Sequence, residues 1–343
     1  MSSLFGPTVR VLSIDGGGVR GIIPSLVLEE LQRRLRIRGE MRPFHRIFDL
    51  MAGTSAGGII VLGLALPALS PDGSGFSRNK AALDVSKITA LFSVRGLEIF
   101  PRPGFAKFKS ILHAFGEKYS ADSLESLLER LFGDATMNDA LTNLIITSYD
   151  VERREPHMFK KRPVRHGKHD VNFYMRDAAR ATSAAPTYFA PAYVEPRPPD
   201  GERYCLVDGA VFANNPALAA YIEARKIFPH ARKYVIISLG TGQAERRFTY
   251  EQIKDWGYLE WVSPRNGVPL FSLSSEGQSV AVVHQLSRIP DVEFYRLDGP
   301  LSGDASESMD NAAAANIERL TAAAMDIISD NDRMMEKICA RLS

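Results

Sequence analysis

A serine framed by small residues, Gly53-Thr54-Ser55-Ala56-Gly57, stands between an apolar run ending at Gly53 and a second one, Ile59 to Leu66. This is the Gly-x-Ser-x-Gly pattern of a nucleophile elbow, a sharp strand-to-helix turn that exposes the hydroxyl. At a helix N-terminus the free N–H groups and the helix dipole favour a developing negative charge. A plainer reading competes, because serine is also a favoured helix N-cap. Deciding between them requires two further groups: donors for an oxyanion and a base for the hydroxyl proton.

Three glycines, Gly16-Gly17-Gly18, follow Asp15 and precede Arg20 and Gly21. Two chemistries fit this loop. Gly16-x-Gly18-x-x-Gly21 has the spacing of a dinucleotide-binding turn between a strand and a helix. That use also needs a second strand ending in an acidic residue about 20 positions on. Glu40 falls there, in the charged stretch Arg38-Gly39-Glu40-Met41-Arg42 with no strand pattern before it, and Asp15 would stand beside the pyrophosphate. The alternative is an oxyanion hole, in which N–H groups unobstructed by side chains point at a developing alkoxide. The second reading fits better, because adjacent strand-to-helix turns of an α/β sheet converge at one edge. The loop would then lie beside Ser55.

The candidate base is Asp208, at the end of the short strand pattern Tyr204 to Val207 and ahead of Gly209-Ala210 and Asn214-Asn215-Pro216. Asp-Gly is also a common turn pair. Histidine is the usual partner of a catalytic serine, but after Asp208 the chain offers only His230 and His284. His230 follows Pro229 at the entry to a strand, and His284 lies inside a helical pattern. Neither is in a loop leaving a strand. The pattern therefore points to direct transfer of the Ser55 proton to Asp208. A carboxylate is a weak base in water, so the site must be partly desolvated.

The elements that would hold these groups alternate along the chain. Val9 to Ile14 is a β-branched, apolar strand pattern. A helix follows with Ile22, Ile23, Leu26, Leu28, Leu31 and Leu35 on one face, Pro24 in its first turn, and arginines at its end. Further helices are expected over Ser120 to Phe132 (Ser120 as cap), Ala178 onward to a turn at Pro191, Pro216 to Ile227, Gln278 to Leu286 and Ala312 to Leu342. Leu144 to Tyr149 and Tyr234 to Leu239 read as strands. Residues 67–80, rich in Pro, Gly and Ser, read as a loop or lid. The irregular stretch up to Phe108 is either a variable insertion or an apolar cover over an acyl-chain pocket. The run Arg153 to His169 reads as a solvated hairpin, with contact to anionic lipid head groups as the alternative. Trp256 to Trp261 reads as core rather than as an interfacial aromatic patch.

Composition sets the outer limits. An apolar share of 45% with 24% charged residues suits a globular chain, and 343 residues can bury a sizeable core. The 42 basic and 40 acidic residues leave a net charge of +2, so no global field favours a nucleic acid polymer. Cys205 and Cys339 are far apart, without metal-ligand spacing, which favours a reducing compartment over a disulfide framework. Met1 to Arg10 lacks the pattern of a signal peptide, and no run approaches the roughly 18 apolar residues of a membrane span. The expectation is a cytoplasmic protein that touches membranes peripherally.

Taken in order, Asp15-Gly-Gly-Gly-Val-Arg-Gly21, Gly53-Thr-Ser-Ala-Gly57 and Asp208-Gly-Ala210 resemble the three motifs of the patatin-like phospholipases. The similarity extends to Ile145-Ile-Thr-Ser-Tyr-Asp150, the Ala-Thr-Ser-Ala-Ala-Pro-Thr-Tyr-Phe segment at 181–189, Ser238-Leu-Gly-Thr-Gly242, Phe294-Tyr-Arg-Leu-Asp298 and Asn316-Ile317. It covers nearly the whole chain and is weakest over 67–118. The resemblance implies a single patatin-like domain over 1–343 with a three-layer α/β/α fold and a mainly parallel central sheet. Its parts would be a catalytic core over about 8–245, a helical lid-like insertion over about 67–118 and a C-terminal helical segment over about 250–343. It further implies a lipid acyl hydrolase with Ser55 as nucleophile and Asp208 as base. The oxyanion hole would come from Gly17 and Gly18 with help from Gly16, supported by Arg20, Gly53, Gly57 and Gly209. No metal or cofactor is implied, and the partners would be membrane phospholipids. Some bacterial members of the family are antiphage effectors switched on by a cyclic nucleotide. The resemblance thus admits a cyclic-nucleotide activator, for which the residues themselves mark no pocket.

Overall fold

The chain runs from β1 (Thr8–Ile14) through the glycines into α1 (Ile22–Ile37) and α2 (Phe44–Ile47). It returns as β2 (Leu50–Gly53) and continues into α3 (Ala56–Ala65). Next come β3 (Pro67–Leu69), β4 (Phe76–Ala81), α4 (Val85–Ser93), α5 (Gly96–Ile99) and α6 (Asp122–Phe132). The middle holds β5 (Asn143–Asp150), β6 (Glu155–Lys161), α7 (Met175–Thr182), β7 (Ala192–Val194) and β8 (Tyr204–Asp208). The remainder is α8 (Ala210–Ala213), α9 (Ala217–Ile227), β9 (Lys233–Leu239), α10 (Tyr250–Ile253), α11 (Tyr258–Val262) and α12 (Pro269–Leu286), then β10 (Val292–Leu297), α13 (Ala314–Asp330) and α14 (Asp332–Leu342). The computed structural model describes residues 7–72, 75–99, 119–163, 171–199, 201–244, 247–263, 268–301 and 305–343. The N-terminal start, the insertion from Phe100 to 118, and Arg165, His166, Lys168 and His169 of the basic run lie outside the described residues.

One sheet, in the order β10-β9-β1-β2-β5-β8-β7 with β6 also on β5, carries the molecule. From β10 to β5 the neighbours pair in parallel; β6 and β8 run antiparallel to β5. The sheet is buried on both faces, which explains the near-continuous apolar runs of its strands. Along β1, Leu12 and Ile14 join the core beneath α1, α3, α7 and α13, while Val9 and Val11 join the one beneath α9 and α12. The period of two thus feeds two cores, and the layers are α/β/α.

Helix α3 is apolar on every side and fully buried, as such a helix must be. It lies against β1 and β2 because its first turn is small. A Cβ on Gly57 would sit 2.3 Å from the Ile14 carbonyl oxygen, and one on Gly58 would sit 2.8 Å from Thr182 Cγ2.

Several expectations are corrected. Residues 67–80 are not a plain loop: β3 and β4 pair as an antiparallel hairpin, and Leu91, Phe92 and Ile99 behind it belong to the main core. Trp256 to Trp261 is not core. Neither α10 nor α11 buries a residue; Trp256 instead meets Trp261 and Phe248 edge to face, with ring centroids 5.3 and 5.1 Å apart. The basic run does form a hairpin, β5–β6. Its charges are matched by carboxylates: Lys160 and Arg162 meet Glu223 of α9 at 3.0 and 2.8 Å, and Arg153 meets Asp150 at 2.7 Å. Ser120 does not cap α6, whose N-cap is Ala121. Both cysteines are free. No helix among the described residues is long and apolar enough to cross a membrane.

Gly57→Ala sets a methyl group against backbone that cannot swing aside. It should destabilise the protein by about 1–3 kcal/mol, read as a lowered denaturant midpoint. Gly63→Ala on the same helix meets only side-chain carbons of Ile88 and Leu83, none closer than 3.3 Å, and should be close to neutral. Equal effects of the two substitutions would contradict this account of the α3 contact.

Candidate active site

Ser55 sits where β2 turns into α3, with φ 54° and ψ −124°. A non-glycine residue held at positive φ is strained and needs surroundings that impose it. Here they do. A Cβ on Gly53 would lie 2.3 Å from the Gly57 carbonyl oxygen, so both glycines of the pattern are required for the chain to double back. Thr54 pins the turn to the neighbouring elements, with its Oγ1 2.7 Å from both Thr147 Oγ1 and the Ala213 carbonyl. The Ser55 N–H donates to Thr182 Oγ1 at 2.9 Å. Ser55 occupies the N-cap position but its side chain makes no capping bond. The N-cap reading therefore fails, and the hydroxyl is left for other work.

Its partner is Asp208. Although β8 runs antiparallel to β5, it is short and pairs only with the last residues of β5, so its own last residue stays near the edge where β2 ends. Asp208 pairs with Ser148, one residue beyond the Thr147 that touches Thr54. The Asp208 N–H donates to the Ala184 carbonyl at 3.0 Å. The next residue must be small: a Cβ on Gly209 would meet Thr147 Oγ1 at 2.2 Å. The Asp208 carboxyl is 1% exposed. Burial pushes its pKa up to about 7, against the pull of the Ala210 N–H at 2.8 Å and of the neighbouring Ser55 hydroxyl. Both downstream histidines, His230 and His284, are exposed and away from this edge.

The glycine loop closes the third side. A Cβ on Gly16 would lie 3.3 Å from Ser55 Cβ, so the loop and the serine are immediate neighbours. The Gly16 N–H, however, donates to the Asn214 carbonyl at 3.1 Å. This corrects the expectation that Gly16 helps as a donor: it is a wall of the site, and its own N–H is already used. The Gly17 and Gly18 N–H groups make no hydrogen bond within the described residues. Gly18 has φ +59°, and a Cβ on it would stand 2.2 Å from the Met309 carbonyl oxygen, to which the Val19 N–H donates at 2.8 Å. Thr241 Oγ1 donates to the Gly16 carbonyl at 2.8 Å, and Arg20 Nη1 donates to the Gly242 carbonyl at 3.3 Å. Arg20 thereby ties the loop to the end of β9.

A hydroxyl at a helix N-terminus, a desolvated carboxyl beside it, and two uncommitted N–H groups can together perform acyl transfer. The dinucleotide alternative loses its second strand: Glu40 lies in the turn after α1, paired with Arg42, and β2 begins only at Leu50. Thr182, Thr147, Asn214 and Met309 were not singled out as site residues. Thr182 and Thr147 had a signal, being inside the 181–189 and 145–150 segments, and Asn214 stood in the turn after Asp208; Met309 had none.

The profile of the patatin-like phospholipase family matches residues 12–221. Patatin-like protein 2 of Arabidopsis thaliana is 31% identical over 99% of this chain and 86% of its own. Patatin-like protein 1 of the same plant is 32% identical over 92% and 80%. A Solanum tuberosum protein named probable inactive patatin-3-Kuras 1 is 29% identical over 91% and 84%.

The raised pKa of Asp208 has a thermodynamic consequence. A carboxyl that binds its proton more tightly folded than unfolded carries no penalty below about pH 4. It loses stability as pH rises toward 7, by about 1.4 kcal/mol per unit of displacement. Asp208→Asn keeps the shape and removes the charge. It should therefore raise Tm at pH 8 by several degrees, and by much less at pH 5. A shift of the same size at both pH values would contradict the desolvation of Asp208.

Proposed function

The chain belongs to the patatin-like phospholipase family, and from that premise we propose that it cleaves fatty acyl esters of phospholipids or related lipids through a Ser55–Asp208 dyad. The observation that carries this reading is the buried carboxyl of Asp208, lifted to about pKa 7 beside the Ser55 hydroxyl. As Ser55 Oγ attacks the ester carbonyl carbon, its proton passes to Asp208. The carbonyl oxygen becomes an oxyanion facing the Gly17 and Gly18 N–H groups and the α3 dipole. Collapse breaks the ester C–O bond, and the leaving alcohol takes the proton from Asp208. Water, losing a proton to Asp208 in turn, attacks the acyl-enzyme; the bond from the acyl carbon to Ser55 Oγ then breaks, Asp208 returns the proton to Ser55 Oγ, and the fatty acid leaves. Each oxyanion donor is worth about a hundred- to a thousandfold in kcat.

Peripheral contact with the lipid surface is supported by the α10–α12 face. Tyr250, Tyr258 and Leu259 are more than 70% exposed there, beside Trp256 and Trp261, and Leu270 and Val280 continue the patch along α12. Tyr and Trp favour the membrane–water interface. The same α12 presents Gln278 and Ser279 to Asn215, close behind Asp208, so patch and site share one helix.

Purified, folded Ser55→Ala and Asp208→Asn variants should each lose at least about a thousandfold in kcat on a short acyl ester. A fluorophosphonate probe should label Ser55 in the wild type, while NAD(H) titrated by fluorescence should not bind. Appreciable turnover by either variant would defeat the dyad, and cofactor binding without labelling would favour the oxidoreductase reading. Leu259→Asp should slow hydrolysis of phospholipid vesicles and leave the soluble ester unaffected. Equal rates on vesicles would remove the proposed contact.

A further inference from the structure

Asp15 has no part in the proposed chemistry, yet it stands one residue before the glycine loop with its carboxyl 2% exposed. A bare negative charge there opposes an oxyanion forming beside Gly17 and Gly18. The structure meets it with Arg296, 281 residues away in sequence. Arg296 Nη1 donates to Asp15 Oδ1 at 2.9 Å and Nη2 to Oδ2 at 2.7 Å. This is the two-pronged pairing that a guanidinium makes best.

Arg296 is on β10, level with Ser238 of β9 and, through it, with Ser13 of β1. Its guanidinium therefore reaches across β9 to the end of β1. It also donates to Ser238 Oγ at 2.8 Å, Asp298 Oδ2 at 2.8 Å and Ser279 Oγ at 3.4 Å. Ser279 accepts from Asn215 Nδ2 at 3.2 Å, and Gln278 bonds both the N–H and the carbonyl of Asn215 at 3.0 and 3.1 Å. The adjacent Asn214 carbonyl holds the Gly16 N–H. On the other side, Asp298 Oδ1 accepts from the Gly242 N–H at 3.1 Å, next to the carbonyl that binds Arg20. One connected set of bonds thus links the glycine loop, the turn after Asp208 and the end of β9.

We propose that Arg296 is a positioning residue of the acyl-transfer site: it neutralises Asp15 and fixes the glycine loop so that the Gly17 and Gly18 N–H groups face Ser55. The role rests on the hydrolase reading above. The charged groups acting on Asp15 are Arg296 of β10 and Asp298 just after that strand, whereas β9 and α12 present the neutral Ser238 and Ser279. Burial pushes the Asp15 pKa up to about 6 with Arg296 in place. Without the guanidinium it rises further, and ionisation on the alkaline side then sets an uncompensated charge beside the oxyanion.

Arg296→Met, assayed as the full chain on a soluble short acyl ester, should lose about a hundredfold in kcat with KM within about twofold of wild type. Its kcat should fall further as pH rises from about 7 to 9, a limb absent from the wild type. Adding Asp15→Asn should abolish that limb and recover part of the rate, which restored folding alone would not do. Fluorophosphonate should still label Ser55 in Arg296→Met, more slowly. If the wild type neither turns over nor labels, the hydrolase reading is what fails. If the wild type is active and Arg296→Met keeps its kcat and pH profile, the positioning role is overturned. Should circular dichroism show Arg296→Met unfolded, Arg296→Lys carries the test. It keeps the cation but not the fork, and should lose about tenfold in kcat at unchanged KM; wild-type kcat there would overturn the role.

Discussion

Burying a carboxyl group costs free energy whenever the group is charged, and the two buried carboxyls flanking Ser55 meet that cost in opposite ways. Asp15 is given a guanidinium that grips both its oxygens. Asp208 is given only the Ala210 N–H and the Ser55 hydroxyl, and burial lifts it to about 7. A carboxylate at its ordinary pKa near 4 is a poor base for a serine hydroxyl. One lifted to about 7 is about half ionised at neutral pH and is far better matched to the proton it would take from Ser55. In the proposed dyad, the absence of a histidine is thus compensated by the absence of a counter-charge.

The fold creates that situation through one reversed strand. That strand is short and overlaps only the last residues of β5, from Ser148 to Asp150. The antiparallel β8 enters at the carboxyl edge and puts Asp208 level with Ser148. Everything around it must then be small. Gly53, Gly57 and Gly209 each stand where a Cβ would overlap a neighbour by an ångström or more. Close packing excludes water from Asp208, and the same packing holds Ser55 at its strained φ. Desolvation of Asp208 and strain at Ser55 are therefore two results of one tight junction between β1, β2, β5, α3 and β8.

Most of this junction was legible in the sequence because its requirements are local. Glycines at 53 and 57, three glycines after a β-branched strand, and an aspartate closing a short strand each announce a backbone need within a few residues. The alternation of strands and helices announced the layered fold in the same way. Contacts between distant segments left no such trace. That the Gly16 N–H is taken by Asn214 depends on a meeting between positions far apart in the chain. Arg296 reads in isolation as one polar residue of an edge strand. Trp256 to Trp261 looked like core because aromatic content signals burial on average, but here the rings shield one another at the surface. The hairpin at 67–80 was hidden by its Pro, Gly and Ser, which mark turns more strongly than short strands.

The pre-steady-state rate of Ser55 acylation by a chromogenic short acyl ester, followed against pH, tests the base assignment most directly. Transfer of the Ser55 proton to a desolvated Asp208 predicts a burst rate that rises through a single ionisation near pH 7 and then holds level, with no such ionisation in Asp208→Asn. A burst rate that is flat from about pH 5 to 9, or that titrates near the ordinary carboxylate value of about 4, would contradict it.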